Sequence, residues 1–541
     1  MPVIYINTFQ GERPKVDPRL LPNESAQEAK GCHFYSGNLS ALNQPLSTDE
    51  TVLSNAKTIF LYDDTHWFSW DKRVNAVNSP VANDPWNRVY FTGDGYPKVT
   101  TNAIFSGASM PAAAYKLGVQ APEQVITATV TEGANSNDFD INELEDRYYT
   151  HTFVTGAGEE GAPGEPSEKI VINSPFDENT SVTLALSAPN VNISDITHRR
   201  IYRSVTGGGI SDYLLVAEVE ISATEYIDSY QGEELGVSLD TYDYETPPEG
   251  LSGLVSMANG ILAGFFDNTL CFSEPYLPYA WPTKYQLTTQ DNIVVAIAIG
   301  NSLAVLTEGN PYIFSGVLSA NMTGRKVEAS QACVSERSAI IIDGTVIYAS
   351  PDGLVALASD GARVITDSIL TRKQWASYNP STIEAYVQEG RYLGFYGTGL
   401  DKAFIFDVKT GDLRHFDATA YCGFNSLIND ALYIAEGGSL SKWESSSDKY
   451  TYTWRSKRYE TVNGSISCGL VKCDDITKVG LTIFADGVAV LEFDIGDVPS
   501  TAFRLPDIRA NNWEVELTGT ADVYSIVLAE SMTQIRQVLN G

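Results

Sequence analysis

Basic residues are scarce: 36 Lys and Arg stand against 68 Asp and Glu, for a formal net charge of -32. A chain this acidic repels polyanions, which disfavours specific nucleic-acid binding. Its charge serves either as a solubility coat or as the like-signed wall of a duct that DNA crosses without sticking. Cysteine is equally sparse. Cys32, Cys271, Cys333, Cys422, Cys468 and Cys473 include no CxxC pair, so neither a zinc site nor a disulfide framework is signalled. Reduced, buried thiols in a chain assembled in a cytoplasm are expected, with Cys468 and Cys473 on opposite faces of one strand. The five histidines, His33, His66, His151, His198 and His415, show no HxxxH or HxH spacing. No apolar run reaches the length of a membrane span, and the start, Met1-Pro2-Val3-Ile4-Tyr5-Ile6-Asn7, lacks the basic region and apolar core of a signal peptide. No membrane insertion and no export signal are expected.

Stretches of helical periodicity are also few, whereas 29 Tyr and 43 Gly suit many short strands joined by tight turns. One unit recurs, an apolar run, a Gly-centred turn and a second apolar run, over residues 254–265, 295–306, 339–348, 385–396 and 426–434. Asn259-Gly260, Gly300-Asn301 and Asp343-Gly344 supply the positive φ of primed hairpin turns. The units start about 40 to 45 residues apart, the period of a four-stranded propeller blade. A weaker hairpin follows, clearest at Ala403-Phe404-Ile405-Phe406 and Leu413-Arg414-His415-Phe416. A β-propeller is the reading, with an ordinary sandwich of unequal strands as the alternative.

The length allows about three or four domains. Residues 1–121 are read as an N-terminal extended segment and the first propeller blades. Three prolines keep residues 9–22 out of helix, Asn23 to Ala29 can close a short helix capped by Asn23, and Gly37-Asn38 turns a hairpin. Blade-like strands return at Thr58-Ile59-Phe60-Leu61-Tyr62, Trp67-Phe68-Ser69-Trp70 and Arg88-Val89-Tyr90-Phe91-Thr92. Residues 122–248 alternate at sandwich spacing and form an inserted immunoglobulin/fibronectin-like domain. Residues 249–445 hold the remaining blades, and 446–541 form a C-terminal β-sandwich-like domain ending in a helical turn near Glu530 to Arg536. The fold class is therefore all-β, a propeller with an inserted and a terminal sandwich.

Chemistry is hard to find. Asp138-Phe139-Asp140-Ile141-Asn142 with Asp146 begins like a calcium loop, but Glu143 stands where Gly is needed and Tyr149 where a bidentate Glu is needed. Nucleophile elbows, phosphate-binding loops and dinucleotide fingerprints do not occur. Trp70-Asp71 is a single WD without its repeats. The aromatic clusters 67–70 and Tyr276-Leu277-Pro278-Tyr279-Ala280-Trp281 fit core packing better than sugar binding. Accordingly no catalytic, cofactor-binding or metal residue is assigned, no cofactor is expected, and the chain is read as no enzyme.

Several turn-rich segments resemble tail proteins of double-stranded DNA phages. They are Arg13-Pro14-Lys15-Val16-Asp17-Pro18-Arg19-Leu20-Leu21-Pro22, Ala26-Gln27-Glu28-Ala29, Ser36-Gly37-Asn38-Leu39, Tyr90-Phe91-Thr92-Gly93-Asp94-Gly95-Tyr96-Pro97-Lys98, Cys333-Val334-Ser335-Glu336-Arg337-Ser338 and Phe503-Arg504-Leu505-Pro506 with Trp513-Glu514-Val515-Glu516-Leu517. The resemblance implies the tail nozzle, or tail tubular protein, of short-tailed bacteriophages. That is a structural virion protein working in DNA ejection as a homo-hexamer below the portal and adaptor proteins, with genomic DNA passing through the lumen and fibres or spikes outside. Localisation would be the virion tail, after assembly in the host cytoplasm, and Arg13, Lys15 and Arg19 would sit at contacts between subunits or with the adaptor. The alternative is a tail protein that binds or cleaves host-surface glycan.

Overall fold

The computed structural model describes residues 3–105, 107, 111, 113–133, 144–173, 179–204, 212–229 and 234–540. It divides into two compact units, one of Met1–Asp71, Val305–Tyr312 and Lys326–Gly541, the other of Lys72–Ala304 and Ile313–Arg325. Among the described residues no helix is long and apolar enough to cross a membrane.

The larger unit is built from antiparallel meanders in chain order. Ile340–Ile342, Thr345–Ala349, Leu354–Ala358 and Gly361–Val364 make one four-stranded sheet, and Glu384–Gln388, Arg391–Tyr396, Lys402–Phe406 and Leu413–Phe416 run as the next. Cys422–Ser426, Ala431–Glu436 and Ser439–Lys442 make a third, whose fourth strand is Leu46–Thr51 from far earlier in the chain. The hairpin Thr58–Tyr62 with His66–Trp70 packs beside it. Each meander faces the next through its own apolar cluster, for example Ile347, Trp375 and Phe404, then Leu393, Phe416 and Trp443, then Ile59, Trp67 and Leu440. Sheets stacked face to face in sequence are propeller blades, and the apolar runs that alternate with Gly turns supply both faces. The expected hairpins at Asp343-Gly344 and Glu389-Gly390 are present, with positive φ at all four residues.

The terminal strands do not stand apart from the blades. Ala26–Lys30 lies between Leu413–Phe416, which it meets in parallel, and Tyr452–Ser456, which it meets antiparallel. Through it the 384–416 blade continues into Arg509–Gly519, Val479–Ala485 and Val488–Phe493 as one ten-stranded sheet. A second sheet pairs Val3–Ile6 with Val523–Ala529 and then Cys468–Cys473. Between the two sheets lies a core holding Ile4, Phe9, Ala26, Ala29, Trp454, Trp513 and Ile526, all nearly inaccessible. One expectation is corrected here. In place of the short helix over Asn23 to Ala29 there is a turn at Asn23-Glu24 and the strand Ala26–Lys30, where a bulge between Ala26 and Glu28 turns both alanines to the same buried side and mimics helical spacing. The N-terminal extended segment packs with the C-terminal sandwich, where Ile4, Ile6, Phe9, Ala26, Ala29, Leu39 and Ala41 help fill the core. The helical turn expected near Glu530 is the helix Met532–Asn540.

Glu514 cross-braces the ten-stranded sheet. Its carboxylate, 1% exposed, accepts from Arg458 Nε at 2.7 Å, Arg455 Nε at 2.9 Å and Gln27 Nε2 at 3.0 Å. Burial pushes its pKa up, but the bonds from Arg458, Gln27 and Arg455 outweigh burial and leave it below the ordinary value. A carboxylate lowered in the folded state stabilises above its unfolded pKa of about 4.3, and that contribution is lost as pH falls through the folded value. Glu514→Gln is therefore expected to lower the unfolding free energy by about 2 kcal/mol near pH 7, with the deficit shrinking below about pH 4. Urea titrations of both proteins across that range check this, and a deficit independent of pH would contradict it.

The smaller unit carries the meander Asn75–Asn78, Val89–Thr92, Lys98–Thr100 and Tyr115–Lys116, and the meander Ser252–Ser256, Leu262–Phe266, Thr269–Phe272 and Leu287–Thr288. They pack on each other through Tyr90, Leu117, Leu254, Leu262 and Trp281. Gly260 has φ +78° in the expected hairpin turn, and a Cβ there would come within 2.6 Å of the Tyr276 ring, so both backbone and space demand glycine. Between these meanders runs the inserted sandwich. One sheet is Thr127–Thr131, Ser181–Ala185 and Glu225–Asp228, the other Tyr149–Thr155, Ile196–Ser204 and Tyr213–Glu220, with Ile126, Tyr149, Val182, Leu184 and Ile201 buried between them. Arg88 of the 75–116 meander forms an ion pair with Glu159 of the insert, and Tyr279 packs against Val119, Phe153 and Ile196.

Candidate functional site

In the larger unit a cleft of about 830 Å³ opens above the hairpin Cys32–His33 and Ser40–Ala41, lined among others by His33, Tyr35, Gln388, Glu389, Trp443 and Glu444. The expected Gly37-Asn38 hairpin is closed by a 3-10 turn, Tyr35–Gly37, which lifts the Tyr35 ring over the cleft, 41% exposed. Glu389 and Glu444 both hold positive φ, at +47° and +51°, and so reach back across their turns. Glu444 takes His33 Nε2 on one oxygen and Gln388 Nε2, at 2.8 Å, on the other. Glu389 Oε2 accepts from Tyr35 Oη at 2.6 Å and Arg391 Nη1 at 2.8 Å, while Arg391 Nε reaches Asp407 at 3.1 Å.

Burial holds the His33 imidazole below its ordinary pKa, and Arg414 and Arg391 reinforce this against the pull of Glu444. Its contact with Glu444 is then a hydrogen bond from a neutral ring. Tyr35 is raised by burial and by Glu389. Burial raises the Glu389 carboxylate, yet the bonds from Tyr35 and Arg391 bring it below its ordinary value. Behind His33 lies Arg414, 3% exposed, its guanidinium 5.7 Å from the Phe34 ring and depressed by burial. Both carboxylates are engaged by fixed donors from two segments, so they act as clamps between residues 32–41 and the blade hairpins. What the cleft offers a ligand is hydrogen bonding around a fixed aromatic ring, with the carboxylates of Asp430 and Asp522 also on its lining.

The histidines fall in separate places. His415 Nδ1 lies 3.2 Å from Glu12 Oε1 and its Nε2 2.6 Å from Tyr378 Oη, a Glu-His-Tyr chain that pins the N-terminal segment to the 384–416 blade. Burial raises Tyr378, so the phenol stays protonated. His198 pairs with Glu220 at 3.1 Å, His66 meets the Thr65 hydroxyl, and His151 is buried in the insert. Among the described residues no group of three His, Cys, Asp or Glu could hold a metal ion. The calcium-like stretch Asp138 to Glu143 lies outside the described residues, and Asp146 pairs with Lys169 at 3.0 Å. All six cysteines are free, and burial pushes the thiols of Cys32, Cys271, Cys333 and Cys422 up to about 12, out of the nucleophilic range. Trp67, Phe68, Trp70 and Trp281 are core residues, whereas Tyr276 is 54% exposed. Sequence reasoning misses Glu444, Arg391 and Arg414, because His33, Tyr35 and Phe34, which they meet in the cleft, lie hundreds of residues away.

Arg13, Lys15 and Arg19 find partners within the chain. Arg13 Nε contacts Ser25 Oγ at 3.3 Å, Lys15 pairs with Asp367 at 3.2 Å, and Arg19 pairs with Asp17 at 3.0 Å and Glu460 at 3.7 Å.

The chain matches no family model and no curated protein. Solved structures similar to it include Kluyvelomyces marxianus Hsv2, at 8% identity over 55% of this chain and 90% of that one, with a TM-score of 0.25. AztD from Citrobacter koseri is similar at 12% identity over 67% of this chain and 99% of that one, TM-score 0.27. PorZ of Porphyromonas gingivalis is similar at 10% identity over 90% and 88%, TM-score 0.26. Likenesses at these TM-scores carry no argument, and the propeller assignment rests on the stacked meanders themselves.

Proposed function

We propose that this protein is a structural component of a phage tail, a nozzle subunit whose ring conducts DNA and carries fibres or spikes outside. The observation that carries the reading is how its charge is spent. Lys15, Lys30, Lys72, Lys98, Lys116, Lys284, Arg391, Lys409 and Arg455 each already hold a carboxylate of the same chain. With 68 acidic and 36 basic residues, the carboxylates left over set the outward field. DNA carries about one negative charge per 1.7 Å of axis, so a wall of that sign lets it slide where a basic wall would hold it. The phage-like segments Arg13 to Pro22 and Ala26 to Ala29 support the same reading, as they join the terminal sandwich to a blade.

Electron microscopy of rings assembled from the full chain, or of a virion with this chain located in it, tests the proposal. A ring with an acidic inner wall is expected. A neutral or basic wall would remove the physical argument, and turnover of host polysaccharide by the purified chain would favour the glycan-cleaving alternative.

A further inference from the structure

The cleft above Cys32–His33 and Ser40–Ala41 holds charge that its own clamps do not balance. Its volume of about 830 Å³ falls within the range of ligand clefts, roughly 300–1,000 Å³. The carboxylates of Glu389, Glu444, Asp430 and Asp522 line it, against the ammonium groups of Lys442 and Lys449. Glu389 is balanced by Arg391 at 2.8 Å, and Asp522 faces Lys449 at 3.9 Å. Glu444 is not balanced. Its side chain is 10% exposed, and its partners are the neutral His33 ring and the Gln388 amide. Arg391 is committed to Glu389 and Asp407. Among the described residues neither Glu444 nor Asp430, exposed on the turn between Cys422–Ser426 and Ala431–Glu436, is paired with a lysine or arginine. Burial penalises an uncompensated charge, so a carboxylate held only by neutral donors in a cleft wall favours the entry of a cation.

The walls narrow which cation. No group of three His, Cys, Asp or Glu among the described residues could hold a metal ion, so the cation is organic. Leu427 lines the same cleft and is 94% exposed, and Ile428 beside it is 71% exposed, on a hairpin turn where polar residues are the rule. A bare ammonium ion would leave these aliphatic side chains in water. A sugar finds no open aromatic platform, because the Tyr35 ring already packs against the His33 ring at 4.6 Å and the Arg391 guanidinium at 5.3 Å, and Trp443 is buried. Anionic polymers meet an excess of carboxylates. A peptide carries what the walls ask for at once, a basic side chain, an aliphatic side chain, and backbone amides for the Asn43 side chain on the lining.

We propose that the cleft receives an extended segment of a partner protein, which seats one lysine or arginine side chain beside Glu444 and an aliphatic side chain on Leu427, with Asp430 adding to the attraction. The bonds from His33 and Gln388 fix the Glu444 carboxylate before the segment arrives, which keeps the ordering cost of binding low.

The probe is a synthetic array of acetylated hexapeptides of random composition, exposed to the full chain. Peptides with Lys or Arg next to Leu, Ile or Val are expected to be enriched, and one of them, labelled, gives affinities by fluorescence anisotropy. Glu444→Gln should weaken that binding about tenfold. Because Glu444 also clamps the fold, Asp430→Asn and Leu427→Ser, both on the surface, are measured beside it, and each should weaken binding about threefold. Added salt should weaken the wild type more than Asp430→Asn. Enrichment of acidic or uncharged peptides, no enrichment at all, or affinities unchanged in the three variants would overturn the proposal. Displacement of the peptide by an equal concentration of spermidine would overturn it too, since a small amine and not a protein segment would then be the occupant.

Discussion

Asp228→Ala is expected to destabilise the unit that contains the insert by about 3–5 kcal/mol, the loss that follows when one partner of a buried ion pair is removed. Asp228 is 0% exposed and ends the strand Glu225–Asp228, where it accepts from Tyr149 Oη at 2.6 Å and Arg203 Nη1 at 2.9 Å. Arg147 Nη1 lies 3.7 Å away, so the one carboxylate faces two guanidinium groups that are themselves nearly inaccessible. Alanine would leave both cations and a phenol in the sandwich core. Asp228→Asn, which keeps the shape and part of the hydrogen bonding, should lose less, and Tyr149→Phe should lose only about 1 kcal/mol. Denaturant unfolding of the three variants gives the ranking, and an alanine variant within 1 kcal/mol of wild type would mean that water reaches Arg203 and the burial is misjudged.

Deleting residues 1–30 should have the largest effect of all. The deletion removes Ala26–Lys30 from the interior of the ten-stranded sheet and Val3–Ile6 from its partner sheet. It also strips Ile4, Ile6 and Phe9 from the core, apolar side chains worth about 1.5–3 kcal/mol each when fully buried. Phe9 meets Trp454 edge to face at 4.9 Å, and Trp454 Nε1 donates to Gln10 O at 3.1 Å. The truncated chain is expected to lose cooperative unfolding of residues 446–541, with red-shifted Trp454 and Trp513 emission and loss of their near-ultraviolet dichroism. A truncated chain that keeps a native near-ultraviolet spectrum would show that the terminal sandwich stands without its N-terminal strands. Supplying residues 1–42 as a separate peptide should restore the signal, because strand addition to an open sheet edge reproduces the missing ladder.

The parts of this fold that could be read from the sequence are those specified locally. Asp343-Gly344 and Asn259-Gly260 announce their turns because the positive φ at Asp343, Gly344 and Gly260 is a property of those few residues. The inserted sandwich shows in the strict alternation around Tyr149 to Thr155. The terminal architecture was not legible, since Val3 pairs with Ala529 and nothing near either residue records the other. Ala26 and Ala29 misled for a physical reason, the bulge that gives a strand the spacing of a helix. The buried polar residues were hidden differently. Arg199 and Arg200 are adjacent in sequence, yet Arg200 points out to Glu218 and Glu160 while Arg199 is buried, and only the second sheet decides which of the two faces inward. His33 and Glu444 meet across the fold with no spacing rule to pair them.

The two N-terminal strands that close sheets late in the chain have a consequence for synthesis. Leu46–Thr51 waits for Ser439–Lys442, and Val3–Ile6 waits for Val523–Ala529, so each of these strands is made several hundred residues before its partner. At about 5–20 residues per second, translation of the intervening chain leaves these strand edges unpaired for tens of seconds. Contacts of such sequence separation are slow to form even after release. The charges on Leu46–Thr51, Asp49 and Glu50, lie on a strand that must stay soluble and unpaired through that interval, and like-charged edges resist joining one another.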